Sequence, residues 1–213
     1  MKSQTTKKLF ICLSGSVLYL IVFFLQGCKK ETSINATINA KTVLANTPVQ
    51  TKIIYHDVAP DVTLTANSAS THRSYSLDLN GDGIIDFSID CYFTHYGFSV
   101  AKTVSVSVLN KNGVAADTTL PLEMNLNDAI GSNSHWIANA SLNLRGVHTG
   151  TVWYGNWTDA SDHYLGLRIN SGGSNYYGWI RLDVSVSSYP AFTVKDYAYN
   201  SIPGQSILAG QTK

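Results

Sequence analysis

Glutamate is nearly missing from this 213-residue chain: Glu31 and Glu123 are its only copies. A glycosidase built on two facing glutamates has little to stand on, because one of these falls in an N-terminal polar stretch and the other in an expected loop. Cysteine is as scarce. Of the three, Cys12 and Cys28 lie in the first 28 residues, which leaves Cys91 alone and excludes a disulfide within the rest of the chain. Cys91 falls on the apolar side of an alternating run, the setting of a buried, inert thiol. Charge is sparse too, with 15 basic and 14 acidic residues, and no basic patch of the kind that nucleic acid requires. Six histidines are scattered without a His-x-x-x-His pair, and Gly-x-Ser-x-Gly does not occur. Zinc catalysis and a nucleophile elbow therefore have no support in the spacing. No window carries a sustained helical stripe.

Long apolar runs are absent with one exception. Lys2, Lys7 and Lys8 precede an almost wholly apolar stretch, 9–25, which ends in Leu25-Gln26-Gly27-Cys28. A basic start, an apolar middle and a small residue before the cut describe an export signal. An uncleaved membrane anchor is the competing reading, since the run is near the short limit of a spanning helix. The cysteine after the cut resembles the lipobox of bacterial lipoproteins, although Gln26 is larger and more polar than the residue usual there. Lys29-Lys30-Glu31 resembles the start of many Bacteroidota lipoproteins, some of which reach the cell surface. The resemblance implies residues 1–27 as signal peptide, a lipid on Cys28 as the membrane partner, and an outer-membrane address in the cell envelope. Loss of three lysines with the signal would leave 12 basic against 14 acidic residues, a formal charge of about −2.

Residues 28–49 read as a tether rich in Thr, Asn and Ala, and 50–213 as one domain long enough to bury its own core. Strand patterns dominate that domain. Phe87, Ile89, Cys91 and Phe93 alternate with Asp86, Ser88, Asp90 and Tyr92, and Val104, Val106 and Val108 alternate with Thr103, Ser105 and Ser107. A period of two is that of half-buried strands. Further strands are expected at 53–55, 75–79, 138–144, 151–154, 164–169, 177–186 and 193–199, separated by Gly, Asn and Ser clusters such as 110–113, 131–134 and 171–175. The fold expected is all-β, a single sandwich, with a jelly roll as one possible arrangement. Leu122–Ile130 is the best helix candidate, and a loop turn explains it as well.

The sharpest chemical motif is Asp78-Leu79-Asn80-Gly81-Asp82-Gly83-Ile84-Ile85-Asp86. Side-chain oxygens recur at positions one, three, five and nine, Gly83 stands at the sixth position where a calcium loop turns sharply, and the Ile84 carbonyl supplies position seven. Ile89 at the twelfth position, in place of a bidentate Glu, excludes a signalling EF-hand. The loop resembles the Asp-x-Asn-x-Asp-Gly loops of integrin- and dockerin-type extracellular proteins, which implies a structural Ca²⁺ held by Asp78, Asn80, Asp82, Ile84 and Asp86. A plain hairpin turn is the alternative, because Asn-Gly and Asp-Gly also favour turns.

The last third is rich in aromatic residues. On the strand at 177–186, Ile180, Leu182, Val184 and Val186 share the face expected to be core, and Tyr177, Trp179, Arg181 and Asp183 share the other. Exposed, that second row could stack on sugar rings, with Trp153, Trp157 and Trp136 completing a glycan platform. Covered by another sheet, the same rings are packing. Tyr-Gly-Trp-Ile-Arg-Leu at 177–182 and Asp-Tyr-Ala-Tyr at 196–199 resemble uncharacterised exported β domains of proteins with PEP-CTERM-type sorting tails, over roughly residues 150–210. That resemblance implies export and a β fold and transfers no catalytic residue. Three functions follow as expectations: a non-catalytic surface module binding a glycan or envelope ligand, a structural or adhesive envelope component, and an Asp-based hydrolase with two facing acids.

Overall fold

The computed structural model describes residues 52–138, 140–149, 152–158 and 160–213. The signal peptide expected at 1–27, the lipidation site expected at Cys28 and the tether expected at 28–49 lie outside the described residues. The chain divides into Met1–Thr47 and a compact unit, Pro48–Lys213.

That unit is all-β. Its strands are β1 (Ile53–Thr65), β2 (Thr71–Leu77), β3 (Phe87–Tyr96), β4 (Ser99–Val108), β5 (Gly113–Ala115), β6 (Ala129–Ile130), β7 (Trp136–Ile137), β8 (Ser141–His148), β9 (Val152–Tyr154), β10 (His163–Ser171), β11 (Ser174–Ser185), β12 (Ala191–Asn200) and β13 (Ile207–Leu208). A six-stranded sheet runs β1-β12-β11-β10-β5-β7, a five-stranded sheet runs β2-β3-β4-β8-β9, and β13 pairs with β6. The pairings are antiparallel, and hairpin meanders β2-β3-β4 and β10-β11-β12 build the centre of each large sheet. Of the two readings open for Leu122–Ile130, helix or loop turn, the structure shows the second. The segment's backbone is tied to a strand, through Met124 N–H to Tyr164 O and Tyr164 N–H to Met124 O, and its end is β6.

The two large sheets close on one apolar core. Phe87, Ile89, Cys91, Val104 and Val106 from the five-stranded sheet meet Leu165, Leu167, Ile180, Leu182, Val184, Phe192 and Val194 from the six-stranded one, all within 1% of full burial. The alternating residues chosen for the core are thus the ones that fill it. Burial of this kind contributes about 25 cal/mol per Å² of apolar surface.

A second core lies on the outer face of the six-stranded sheet. Tyr177, Trp179 and Ala198 are covered there by Met124, Ile130, Ile207 and Ala209. An extra residue, Lys195, between the pairs Leu182↔Val194 and Arg181↔Asp196 makes a bulge in β12. Bulges shift the side-chain alternation by one. Phe192 and Val194 before it therefore face the main core, and Tyr197 and Tyr199 after it pack against that same core.

The sandwich has two ends. At one, the loop 78–86 joins β2 to β3 beside the β4–β5, β10–β11 and β12–β13 turns, and the chain enters with Lys52 N–H donating to Asn200 Oδ1. At the other lie the β1–β2, β3–β4, β8–β9 and β11–β12 turns, joined by Ala66 N–H to Pro190 O, Thr149 N–H to Val100 O and the Phe93–Tyr189 ring pair.

Candidate functional site

The loop 78–86 is folded by its own carboxylates. Asp78 Oδ1 accepts the Gly81 N–H at 2.8 Å and the Asp82 N–H at 3.2 Å, and Asp78 Oδ2 accepts the Gly83 N–H at 2.7 Å. Asp82 Oδ1 accepts from Ile84 N–H at 2.9 Å, and Asn80 Oδ1 accepts from Asp82 N–H at 3.2 Å. Such local side-chain bonds compete with strand pairing and hold the backbone in turns. Gly81 and Gly83 take φ of +72° and +86°, the left-handed region that glycine enters without steric cost.

Asp86 plays a different part. It is 4% exposed, accepts the Leu79 N–H at 3.0 Å and the Asn112 amide at 2.8 Å, and so pins the foot of the loop to the β4–β5 turn. Asn112 is buried as well, and its Oδ1 accepts the Asn170 N–H at 2.9 Å, which carries the link on to β10. Burial pushes the Asp86 carboxyl above its ordinary range. The Leu79 and Asn112 hydrogen bonds oppose the shift, and the charges of Asp82 and Asp78 add to it. The donor set is oxygen only, the chemistry of a hard cation. Among the described residues, no three His, Cys, Asp or Glu side chains are gathered closely enough to hold a metal by themselves, so Asn80 and the Ile84 carbonyl would have to contribute.

Two recesses flank the loop. One, of about 260 Å³, is lined by Asn80, Ser171, Tyr176, Tyr199 and Ser201. The other, of about 250 Å³, is lined by Asp82, Asp86, Asn110, Asn112, Asn170 and Ser171 among others. Ser171 borders both, so the two adjoin. Burial raises the Tyr199 phenol above its ordinary range, and the nearby Tyr176, Asp78 and Asp82 add to the shift. Lys and Arg side chains are absent from both linings.

The expected aromatic platform is not there. Tyr177 is 4% exposed and Trp179 is 1% exposed, both roofed by the second core, and Trp179 Nε1 donates to Gln211 O at 3.3 Å. The cover is not the second sheet but the segments around Met124–Ile130 and Ile207–Ala209. Trp157 is fully buried in the main core. Trp136 is half-buried, stacked on Tyr177 with centroids 5.6 Å apart and with Arg168 at 5.3 Å from its ring. Trp153 belongs to β9, and its side chain lies outside the described residues. Arg181 does not present a free cation. It grips Asp196 with Nε to Oδ1 at 2.9 Å and Nη2 to Oδ2 at 2.7 Å, the bidentate geometry of a strong pair.

A second buried carboxylate, Asp90, sits on the outer face of the five-stranded sheet. It takes hydrogen bonds from Ser74, from Ser88 at 3.0 Å and from Ser107 at 3.2 Å, with His72 Nε2 3.0 Å away. Its oxygens are satisfied within the sheet, which marks it as structural.

Sequence reasoning found the loop and missed its surroundings. Tyr176, Tyr199, Asn112 and Asn170 were visible only as members of a strand run or an Asn-rich turn, and nothing in their spacing announced that three turns meet at one end. No family model matches the chain, and neither curated proteins nor solved structures provide a match.

Proposed function

We propose that this protein is an exported, lipid-anchored, non-catalytic β-sandwich of the bacterial outer membrane, a surface module that binds a glycan at its loop end and carries a structural Ca²⁺ there. The observation that carries this reading is the pair of adjoining recesses beside the loop 78–86, lined by hydroxyls, amides, two phenols and the Asp82 and Asp86 carboxylates. The hydroxyls, amides and phenols both donate and accept hydrogen bonds, as a hydroxyl-rich ligand requires. Three nearby carboxylates disfavour an anionic ligand. The aromatic row at 177–181 drops out as ligand-binding surface because it is buried.

In the calcium reading, Asp78, Asn80, Asp82, Asp86 and the Ile84 carbonyl would hold the ion, which supplies positive charge beside the buried Asp86 carboxylate. Asp78 already closes the turn through three backbone N–H groups, so the ion adds to a formed loop and does not create it. The lipid on Cys28 would hold the chain at the membrane.

The test has two parts. Thermal unfolding with EDTA and with millimolar Ca²⁺ should show a higher midpoint with the ion, and Asp82→Ala should abolish the difference. Backbone amide spectra recorded with neutral hexose oligosaccharides should move at Asn80, Ser171 and Tyr176, and Tyr199→Phe should weaken the response. An unchanged midpoint overturns the ion site. Unmoved amides across manno-, gluco-, galacto- and xylo-oligosaccharides overturn glycan binding and leave the envelope-scaffold reading, which the burial of Tyr177 and Trp179 already favours.

A further inference from the structure

The end of the sandwich opposite the loop is built from unlike material. Its turns, 66–70, 93–101, 147–149 and 186–190, contain no Asp, Glu, Lys or Arg. The β3–β4 hairpin carries Tyr96 at 90% exposure and Phe98 at 101%, on a two-residue turn whose Gly97 has φ of +60°. Neighbouring strands stop short of this tip: β2 pairs with β3 as far as Phe93, and β8 pairs with β4 as far as Ala101. The hairpin therefore projects. Tyr189, 44% exposed, stands behind it against Phe93. Lys102 beside the tip donates its ammonium to Ser187 O at 2.8 Å.

The two exposed aromatic rings at the hairpin apex make no ring pair and no side-chain hydrogen bond among the described residues. They are costly in water unless something covers them. A rigid protein partner fits the shape badly. Two rings offer roughly 300–500 Å², less than the ~800 Å² per side of a stable protein interface, and the apex is convex. A bilayer interface closes around a convex point, needs no register, favours Tyr beside an apolar ring, and tolerates flanking Ser and Thr. The opposite end, with Asp78, Asp82 and Asp86, suits no such contact.

We propose, resting on the reading that a lipid on Cys28 anchors the chain, that the β3–β4 tip, through Tyr96 and Phe98, inserts into the headgroup region of the same bilayer. The chain enters the domain at the far end, at Lys52. The 24 residues from Cys28 to Thr51 have a contour of up to roughly 80 Å, against roughly 33 Å for a ten-residue strand such as β3, so the tip can turn back to the same membrane. Attachment at one point raises the local concentration of the tip, and a weak second contact then suffices.

The test uses the processed chain, with the lipid on Cys28 verified by intact mass so that failure of the anchor reads separately, reconstituted in phosphatidylcholine–phosphatidylethanolamine vesicles with an environment-sensitive fluorophore on Phe98→Cys or, at the loop end, on Ile84→Cys. The chain without an added thiol supplies the background. The expected result is a blue-shifted emission at position 98 that doxyl lipids labelled near the headgroup quench, solvent-like emission at position 84, and weaker quenching at 98 when Tyr96→Ser is added. Solvent-like emission at both positions overturns the proposal, as does equal shielding of both. A concentration-dependent blue shift at 98 without lipid assigns the tip to self-association and overturns it too. Both labelled positions are exposed, at 101% and 58%, so the substitutions leave the core untouched.

Discussion

The two ends of the sandwich divide the chemistry of this protein between them. At the loop end, polar side chains are bonded inward: Asp86 and Asn112 are buried, and their hydrogen bonds stitch the loop 78–86, the β4–β5 turn and β10 together. At the other end the prominent side chains, Tyr96 and Phe98, stabilise nothing within the fold. A residue at the loop end is thus tied into the structure, whereas Tyr96 and Phe98 at the hairpin tip are not. The difference teaches that exposure, more than residue type, separates a functional aromatic from a structural one here. Trp179, the more obvious ligand residue, is a core residue, and Phe98 is not.

The largest effect expected on this contrast is that of Asn112→Ala. It leaves the buried Asp86 carboxylate short of a donor and the half-buried Asn170 N–H without its acceptor. Unfolding in urea should show a loss of about 2–4 kcal/mol. A loss below about 1 kcal/mol would break the claim that the loop end is held from within.

Calcium should act next in size. With an affinity of order 10⁻⁴ to 10⁻³ M, 10 mM Ca²⁺ stabilises the fold by about 1–3 kcal/mol. The size should depend on pH. Asp86 has a raised folded-state pKa, so the folded chain holds that proton more tightly than the unfolded chain, and without metal this group's contribution to stability falls as pH rises from its ordinary value of 3.8 through the raised one. Calcium competes with the proton, so its stabilisation should grow across the same window. Unfolding midpoints at several pH values, with EDTA and with Ca²⁺, check both slopes, and Asp86→Asn should flatten the metal-free one.

Asp117 supplies the opposite sign. N–H groups of Thr119 and Leu120, with the Asn156 amide, hold its carboxyl at about 2. Its contribution is present above the unfolded value of 3.8 and is lost as pH falls toward 2. Asp117→Asn should remove that acid-side loss from the melting profile and leave the Asp86 window unchanged.

The smallest effect on stability belongs to the tip. Tyr96→Ser and Phe98→Ser together should change unfolding free energy by no more than about 0.5 kcal/mol, because exposed substitutions away from caps and cores rarely do more. A larger loss would mean that the rings pack on something within the chain.

Much of this was open to reading before any fold was known. The alternation through Phe87–Phe93 and Val104–Val108 reports a surface with one wet side, and that pattern is local. The spacing of Asp78, Asn80, Asp82 and Asp86 is local too. Leu122–Ile130 was open to reading as a helix or a loop turn, and it is a loop because its apolar residues serve as a lid over Trp179 and Tyr164, a role with no period. For the same reason the strand at 177–186, apolar or aromatic on both faces, could not say which face was open to water.

The sequence by itself determined the all-β class, the main core residues and the oxygen-bearing loop, because each rests on spacings within about ten neighbouring residues. Only the tertiary structure decided that Tyr177 and Trp179 are roofed by residues 124–130 and 207–209, that Asn112 and Asn170 lie beside Asp86, and that Tyr96 and Phe98 stand alone at the far end. These are questions of burial and of contact between distant segments, and they are settled by which parts of the chain compete to cover a surface.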